Sequence, residues 1–521
     1  MQNKTYEKKA SSKNGILKLV FFALAILIEI AFIWVFFYSS FRAYIGYFAV
    51  ASRLSALLLV IGLYSQKKTP SIKMPWIMLI LVMPMEGITL YLLIGLSGST
   101  KRMRKRFEEM DNLIFPWFPQ DATVLQSLHQ KDASCFGVSN YILRESGYPV
   151  YTGAQVQYFD SASDAFEVQK QDMLAAKKFI FMEYFTIEDK ESWQQVEDIL
   201  EQKVREGVEV RVFYDDIGSL VYTNKSFVRR LESKGIRCRV FNPVVPVINM
   251  FLNNRDHRKM TVIDGEIGYT GGYNIANEYF NVTNPYGHWK DTGVRLQGKV
   301  VEMMTATFLE MWNAVRNDDK DDSERIAGYF PEVAMQVEDG GYVQFYADNP
   351  MDTKPVGEDV YMNMTARATE YLYFMTPYLI LTDEMCRAIE IAAKRGVDVR
   401  IITPGIPDKK MVYQLTRSYY QRLVEDGVRI FEYTPGFCHA KMSVSDDIIA
   451  TCGTINLDYR SLYHHFEDGC LLIGNDAVGK IREDFDATFP LCREVTEEYR
   501  VGKNASLRFV QLLLRLIAPL L

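Results

Sequence analysis

Two stretches of this chain carry the same side chains at a constant separation. The first reads His257-Arg258-Lys259, four residues, Asp264, then Gly271-Gly272-Tyr273-Asn274. The second reads His439-Ala440-Lys441, four residues, Asp446, then Gly453-Thr454-Ile455-Asn456. The chain holds only 6 histidines, and two of them occupy this frame. A lone His-x-Lys in a strand is most simply structural; repetition with glycines and asparagine in register reverses that. The fold must therefore be built from two copies of one unit.

The surrounding pattern says what that unit is. Lys259-Met-Thr-Val-Ile263 and Lys441-Met-Ser-Val-Ser445 are extended runs that lead through Asp264-Gly265 and Asp446-Asp447 into second apolar runs, the signal of a hairpin. In an extended run residues i and i+2 share a face, so His257 and Lys259 point one way, as do His439 and Lys441. An imidazole beside an ammonium suits a substrate with negative oxygens: the lysine holds them while the imidazole attacks or moves a proton. Each aspartate falls at the turn, away from that face, and reads as an organiser of the loop. Upstream, 177–185 parallels 370–378 and 205–213 parallels 394–402, so each half reads strand, helix, Gly-turn, strand, helix, hairpin. That alternation predicts an α/β fold of mixed or parallel sheets with covering helices. A helix with apolar spacing at Val301, Met304, Phe308, Met311 and Val315 closes the first half, and the acidic run 318–322 reads as a solvated linker.

The doublet resembles the phospholipase D superfamily, whose signature is H-x-K-x(4)-D followed by G-x-x-N, usually present twice. The resemblance implies two pseudo-symmetric lobes that meet at one metal-free site, with one histidine forming a phosphohistidine and the other protonating the leaving alcohol. It assigns a catalytic set of His257, Lys259, Asp264, His439, Lys441 and Asp446, with Asn274 and Asn456 binding or orienting the phosphate. It also implies an acidic residue after each motif that fixes the tautomer of a catalytic imidazole; the matches are Asp291 in Trp289-Lys-Asp291 and Glu467 in His465-Phe-Glu467. Within the superfamily, the hydrophobic segments before the doublet, Gly271–Tyr279, Gly453–Ser461 and a leucine-rich end resemble bacterial cardiolipin synthases over most of residues 40–521. His465 departs from the asparagine usual there. The implied reaction joins two phosphatidylglycerols into cardiolipin and glycerol; the alternative is a membrane phospholipase D that releases phosphatidic acid.

Composition narrows the partners. A net charge of −6 gives no broad basic footprint for nucleic acid. The 7 cysteines form an odd set without a C-x-x-C pair and read as reduced, buried thiols facing the cytosol. No spaced ligand set points to a metal, and no cofactor is expected. Residues 19–38, 44–64 and 74–96 are each long and apolar enough to cross a bilayer, the last interrupted by Pro84-Met85-Glu86-Gly87. Glu29 and Arg53, the lone charges of the first two, would lie at one depth in a hairpin turned near Phe41, and pairing there is expected. If the Pro84 segment is re-entrant, all three basic flanks fall on the cytoplasmic side with the catalytic part. The expected layout is a membrane region at 1–106, lobes at 107–325 and 326–504, and an amphipathic helix at 505–521, in a multi-pass protein of the cell membrane whose partners are phospholipids and the bilayer.

Overall fold

A computed structural model of the chain describes residues 45–66, 69–92, 98–243, 254–315, 322–334, 337, 340–352 and 354–500, with isolated positions at 27, 30, 31, 34, 514, 515 and 518. The first lobe holds β1 (Gln155–Phe159), β2 (Phe179–Tyr184), β3 (Glu209–Asp215), β4 (Arg237–Phe241), β5 (Lys259–Ile263), β6 (Ile267–Gly271) and β7 (Gly293–Gln297). The second holds β8 (Tyr342–Asp348), β9 (Tyr371–Met375), β10 (Asp398–Pro404), β11 (Arg429–Tyr433), β12 (Met442–Ser445), β13 (Ile449–Gly453) and β14 (His465–Ile473). Strand order is β1-β7-β6-β5-β2-β3-β4 in one and β8-β14-β13-β12-β9-β10-β11 in the other. In each, three strands run parallel (β2, β3, β4; β9, β10, β11), and the inner hairpin strand (β5; β12) pairs antiparallel with the first of them. The parallel strands are apolar runs because helices cover both faces; β2 and β9 are buried at every residue.

The two sheets share one core. A continuous apolar cluster takes Phe179, Phe181, Met260 and Leu296 from the first lobe and Phe345, Leu372, Val444 and Leu471 from the second. Helix Val301–Ala314 lies in it, buried at every residue but Glu302, with Phe308 stacked on Phe181 at 4.6 Å. The period-3.6 pattern predicted this helix but not that it would be covered all round, as an interlobe helix must be.

Both hairpins are held by the same device. Asp264 and Asp446 sit at the turns with φ of 56° each, a conformation that aspartate tolerates better than most residues. The Asp264 carboxylate accepts from the backbone N–H groups of Lys177, Lys178 and Phe179 at 2.6–2.9 Å. Asp446 accepts from those of Thr369, Glu370 and Tyr371 at 2.9–3.0 Å. Each thus fastens its hairpin to the start of the neighbouring parallel strand.

The expected boundaries shift in three places. Residues 122–152, expected with the first lobe, pack on the second: Tyr151–Thr152 pairs with Tyr342–Val343, Gln344 donates to the carbonyls of Ser139 and Tyr148, and Tyr141 donates to Asp359. Helix Gly98–Ile114 runs through the expected boundary at 106. Asp322, expected in a solvated linker, is buried and takes two hydrogen bonds from the buried Arg211, which fixes the chain as it leaves the first lobe.

The expected third span is not one helix. Pro84 lacks an N–H and displaces the residue before it from helical geometry, so Met83 adopts φ −130°, ψ 78° and the chain breaks into Pro70–Val82 and Pro84–Leu90. Gly87 lets the second piece fold back, since a Cβ there would lie 2.6 Å from the Ile80 Cα. Helices of 13 and 7 residues reach about 20 and 10 Å, short of a bilayer core of about 30 Å. Among the described residues no helix is long and apolar enough to cross a membrane; side chains of helix Ile45–Tyr64 are described from Val50 onward. Residues 19–38 lie almost wholly outside the described residues and Glu29 does so entirely, so the expected pair with Arg53 does too. Of 505–521, Leu514 packs on the core, Ala518 is buried, and the Arg515 guanidinium lies 4.4 Å from the Tyr419 ring centroid of the second lobe.

Replacing Asp446 with alanine strips three N–H groups of a charged acceptor and should destabilise the fold by about 1–3 kcal/mol. Burial raises the Asp446 pKa, but the three N–H groups more than offset this and hold it below the usual value. A depressed carboxylate stabilises above its unfolded pKa, near 4, and ceases to as pH falls through its folded value. The gap in thermal midpoint between wild type and Asp446→Ala should therefore be full at pH 7 and narrow below about pH 4. Equal midpoints at pH 7 would refute this role.

Candidate active site

The two motifs meet through an exchange of carboxylates. His257 Nδ1 of the first lobe lies 2.8 and 2.9 Å from the carboxylate oxygens of Glu467 in the second. His439 Nδ1 of the second lobe lies 2.7 Å from Asp291 Oδ2 in the first. Backbone pairing enforces both contacts. Residues Arg255–Asp256 pair in parallel with His465–Phe466, and Gly436–Cys438 with His288–Lys290. The next N–H continues each ladder: His257 donates to the Phe466 carbonyl at 2.9 Å and His439 to the Lys290 carbonyl at 2.7 Å. Continuing each register places His257 opposite Glu467 and His439 opposite Asp291.

Tautomers follow from these contacts. An ionised carboxylate accepts only, so His439 facing the low-pKa Asp291 donates from Nδ1 and presents a bare Nε2, as does His257 when Glu467 is ionised. The Lys441 ammonium lies 2.8 Å from Nδ1 and 3.0 Å from Nε2 of His439; the Nδ1 proton faces Asp291, so Nε2 is the ring acceptor. Each lysine also donates to the carbonyl of its own histidine, Lys441 to that of His439 and Lys259 to that of His257. Aromatic rings wall the pair: Phe185 and His465 pack on His257 with centroids at 5.0 and 5.4 Å, and Tyr279 and Trp289 on His439 at 5.2 and 5.3 Å.

Burial governs the electrostatics. The histidines are 7 % and 6 % exposed. Burial, reinforced by the Lys259 charge, pushes His257 well below the ordinary imidazole value. Burial and Lys441 lower His439 to about 3 against the opposing pull of Asp291. Both rings are neutral nucleophiles or bases at physiological pH. Burial also brings Lys259 down to about 8 and Lys441 to about 7. The carboxylates differ: burial raises Glu467 well above the usual range, whereas at Asp291 the His439 contact and Lys441 more than offset burial and keep it low.

The structure gathers His257, Lys259, His439, Lys441, Asp291 and Glu467, but not the two turn aspartates. Asp264 and Lys259 sit at opposite ends of β5, five residues or about 16 Å apart, and the Asp264 carboxylate is committed to the N–H groups described above. The motif resemblance that counts Asp264 and Asp446 as catalytic is corrected here to a structural role. Asn274 is also engaged: its amide accepts from the Thr186 N–H and donates to Tyr279. Asn456 is buried with Oδ1 unpartnered among the described residues. Sequence reading missed Thr454, whose hydroxyl donates to Glu467, and Arg258, fully buried and donating to the Glu467 carbonyl. A strand's alternation places Arg258 on the face opposite His257, but nothing in the motif shows that the other lobe receives it. Among the described residues, His257, His465 and Glu467 come nearest to metal-ligand spacing, with ligand atoms within 4.8 Å of one another. They are the dyad itself and its neighbour, and Lys259, Lys441 and Arg460 oppose a dication there.

Comparison with known proteins agrees with this geometry. The family model described as "Cardiolipin synthase, PLD-like domain" matches residues 170–312 and 361–489, together just over half the chain. The chain belongs to the cardiolipin synthase family of PLD-like proteins. It is 30% identical over 473 residues to a protein of Bacillus cereus named cardiolipin synthase 2, covering 90% of each chain. It is 30% identical to the cardiolipin synthase of Alkalihalophilus pseudofirmus over 98% of this chain and 100% of that one, and 41% identical over 457 residues to an uncharacterized protein of Streptococcus mutans. The phosphatidylserine synthase of Haemophilus influenzae shares the fold, with a TM-score of 0.55 at 15% identity over 74% of this chain and 98% of that one.

An anionic phosphodiester needs the lysines charged, and they are charged below their pKa values. kcat/KM should therefore fall as pH rises through about 7 to 8. The corresponding limb of kcat should lie higher, since bound anion favours the ammonium forms. A kcat/KM flat to pH 9 would contradict this.

Proposed function

We propose that this phosphatidyltransferase joins two phosphatidylglycerol molecules into cardiolipin and glycerol through a phosphohistidine. The reciprocal carboxylate exchange carries the reading, because it supports two neutral, oppositely mounted imidazoles at one phosphodiester. His257 attacks phosphorus through Nε2 and forms the phosphohistidine, while His439, which takes a proton on Nε2 from the Lys441 ammonium, passes it to the departing glycerol oxygen. His439 then takes the proton from a headgroup hydroxyl of the second lipid, whose oxygen displaces His257. The lysine contacts favour this assignment: both lysines donate to the carbonyl of their own histidine, but among the described contacts Lys441 alone also reaches a ring nitrogen. Lys259, Lys441 and Asn456 steady the phosphoryl oxygens, and Asp291 and Glu467 stabilise the imidazolium forms. Glu467 must be ionised to do so.

Exposed apolar surface supports a membrane setting. Leu54, Leu57, Leu58, Ile61, Leu81 and Val82 are exposed on the N-terminal helices, whose base is tied to the second lobe where Thr69 donates to Tyr463. Ile217 and Ile406 are exposed in matching loops after β3 and β10. The neighbouring Gly218 abuts Phe185, which packs on His257, and the Ile406 N–H donates to the Gly436 carbonyl, three residues before His439. In this reading 1–106 is a multi-pass anchor with a re-entrant Pro84 segment, and the catalytic lobes face the cytoplasm.

Purified protein with phosphatidylglycerol vesicles should yield cardiolipin and glycerol in equal amounts, and His257→Asn should reduce turnover by about 10³-fold or more. Phosphatidic acid as the main product would favour the hydrolase reading instead.

A further inference from the structure

We infer that Trp289 and His465, each two residues before an orienting carboxylate, are a duplicated pair of positioning residues that hold Asp291 and Glu467 by ring N–H groups. Residues i and i+2 of a strand share a face, so each ring stands beside its carboxylate. Trp289 Nε1 donates to Asp291 Oδ2 at 3.5 Å. His465 Nδ1 stands 3.6 Å from Glu467 Oε1. The match extends to the surroundings. Trp289 pairs across strands with Phe437, and His465 with Arg255, each two residues before a catalytic histidine. Their rings pack on those histidines at 5.3 and 5.4 Å.

Indole nitrogen donates only, so the first lobe's device is fixed by chemistry. In the second lobe it is fixed by a neighbour. Arg460 Nε donates to His465 Nε2 at 3.1 Å, and since arginine cannot accept, the proton of the neutral ring sits on Nδ1, facing Glu467. That nitrogen is buried and, among the described residues, otherwise unpartnered. Burial and the Arg460 charge keep the ring neutral. A small ring rotation closes 3.6 Å to a bond, which would add a further donor to Glu467 beside His257 and Thr454.

The consequence concerns the acid side of the rate profile. Glu467 must be ionised to accept from His257 Nδ1, and burial opposes this. A donor to the charged form lowers the pKa, so removing it raises the pKa and moves the acid limb of kcat to higher pH. The other charged groups facing this cluster are Lys259, Lys441, Asp458 and Arg460, with Arg255 and His464 on the His465 side; all stay in place in the variants below. The inference rests on the catalytic reading of His257 and Glu467.

The test is the pH dependence of kcat for the full-length protein, followed as loss of phosphatidylglycerol in mixed micelles with products identified separately. His465→Asn keeps an N–H donor and should retain the wild-type acid limb. His465→Leu should raise that limb by about one pH unit and lower kcat about tenfold. Trp289→Phe keeps the ring but not the N–H, and should lower kcat comparably while retaining the thermal midpoint, which keeps the test open if His465→Leu does not fold. Coincident profiles for His465→Asn and His465→Leu, or Trp289→Phe at wild-type kcat, would overturn the inference. Wild-type loss of phosphatidylglycerol without cardiolipin would instead count against the proposed reaction and leave the donor role intact.

Discussion

Each motif imidazole takes its carboxylate partner from the opposite lobe, and the proposed chemistry of the site depends on this exchange. Two parallel strand pairings set it, Arg255–Asp256 with His465–Phe466 and Gly436–Cys438 with His288–Lys290. Neither lobe alone holds an imidazole with a fixed tautomer. The shared core around helix Val301–Ala314 is therefore part of the catalytic apparatus, because a small rotation between the sheets would separate both dyads together.

Burial does two jobs in this arrangement. It keeps the imidazoles neutral, as attack and proton transfer require, and it draws Lys259 and Lys441 towards neutrality. Two desolvated ammonium groups that repel each other favour an anion between them, which a phosphodiester would supply. Affinity for the anion and the dryness that favours a lipid alcohol over water thus share one origin. The lobes are not equivalent, however: Asp291 is held low by His439 and Lys441, while Glu467 is pushed up by burial. Pseudo-symmetry of backbone has not imposed symmetry of charge.

Much of this was legible in the sequence because the motif is local. Strand alternation placed each lysine beside its histidine, and repetition implied paired lobes with mixed sheets. Motif resemblance pointed to Asp291 and Glu467, although which histidine each would serve needed the interlobe pairing. What escaped was set by distant partners. The turn position of Asp264 suggested an organiser, but its three N–H groups belong to residues more than eighty positions earlier. Asp322 looked solvated because its partner, Arg211, lies on another strand. Residues 122–152 precede the first lobe in sequence and pack on the second, where a free edge at β8 accepts Tyr151–Thr152. The break at Pro84 was visible as a proline, yet the fold-back depends on Gly87 meeting Ile80.

Orthovanadate tests most directly whether one phosphorus is shared between the lobes, because it takes up the five-coordinate geometry of an in-line displacement. A crystal structure with vanadate should show vanadium bonded to Nε2 of His257, with an apical oxygen within hydrogen-bond reach of His439 Nε2, about 3 Å. Vanadate held by one lobe's His-Lys pair, with the opposite imidazole out of contact, would contradict the account.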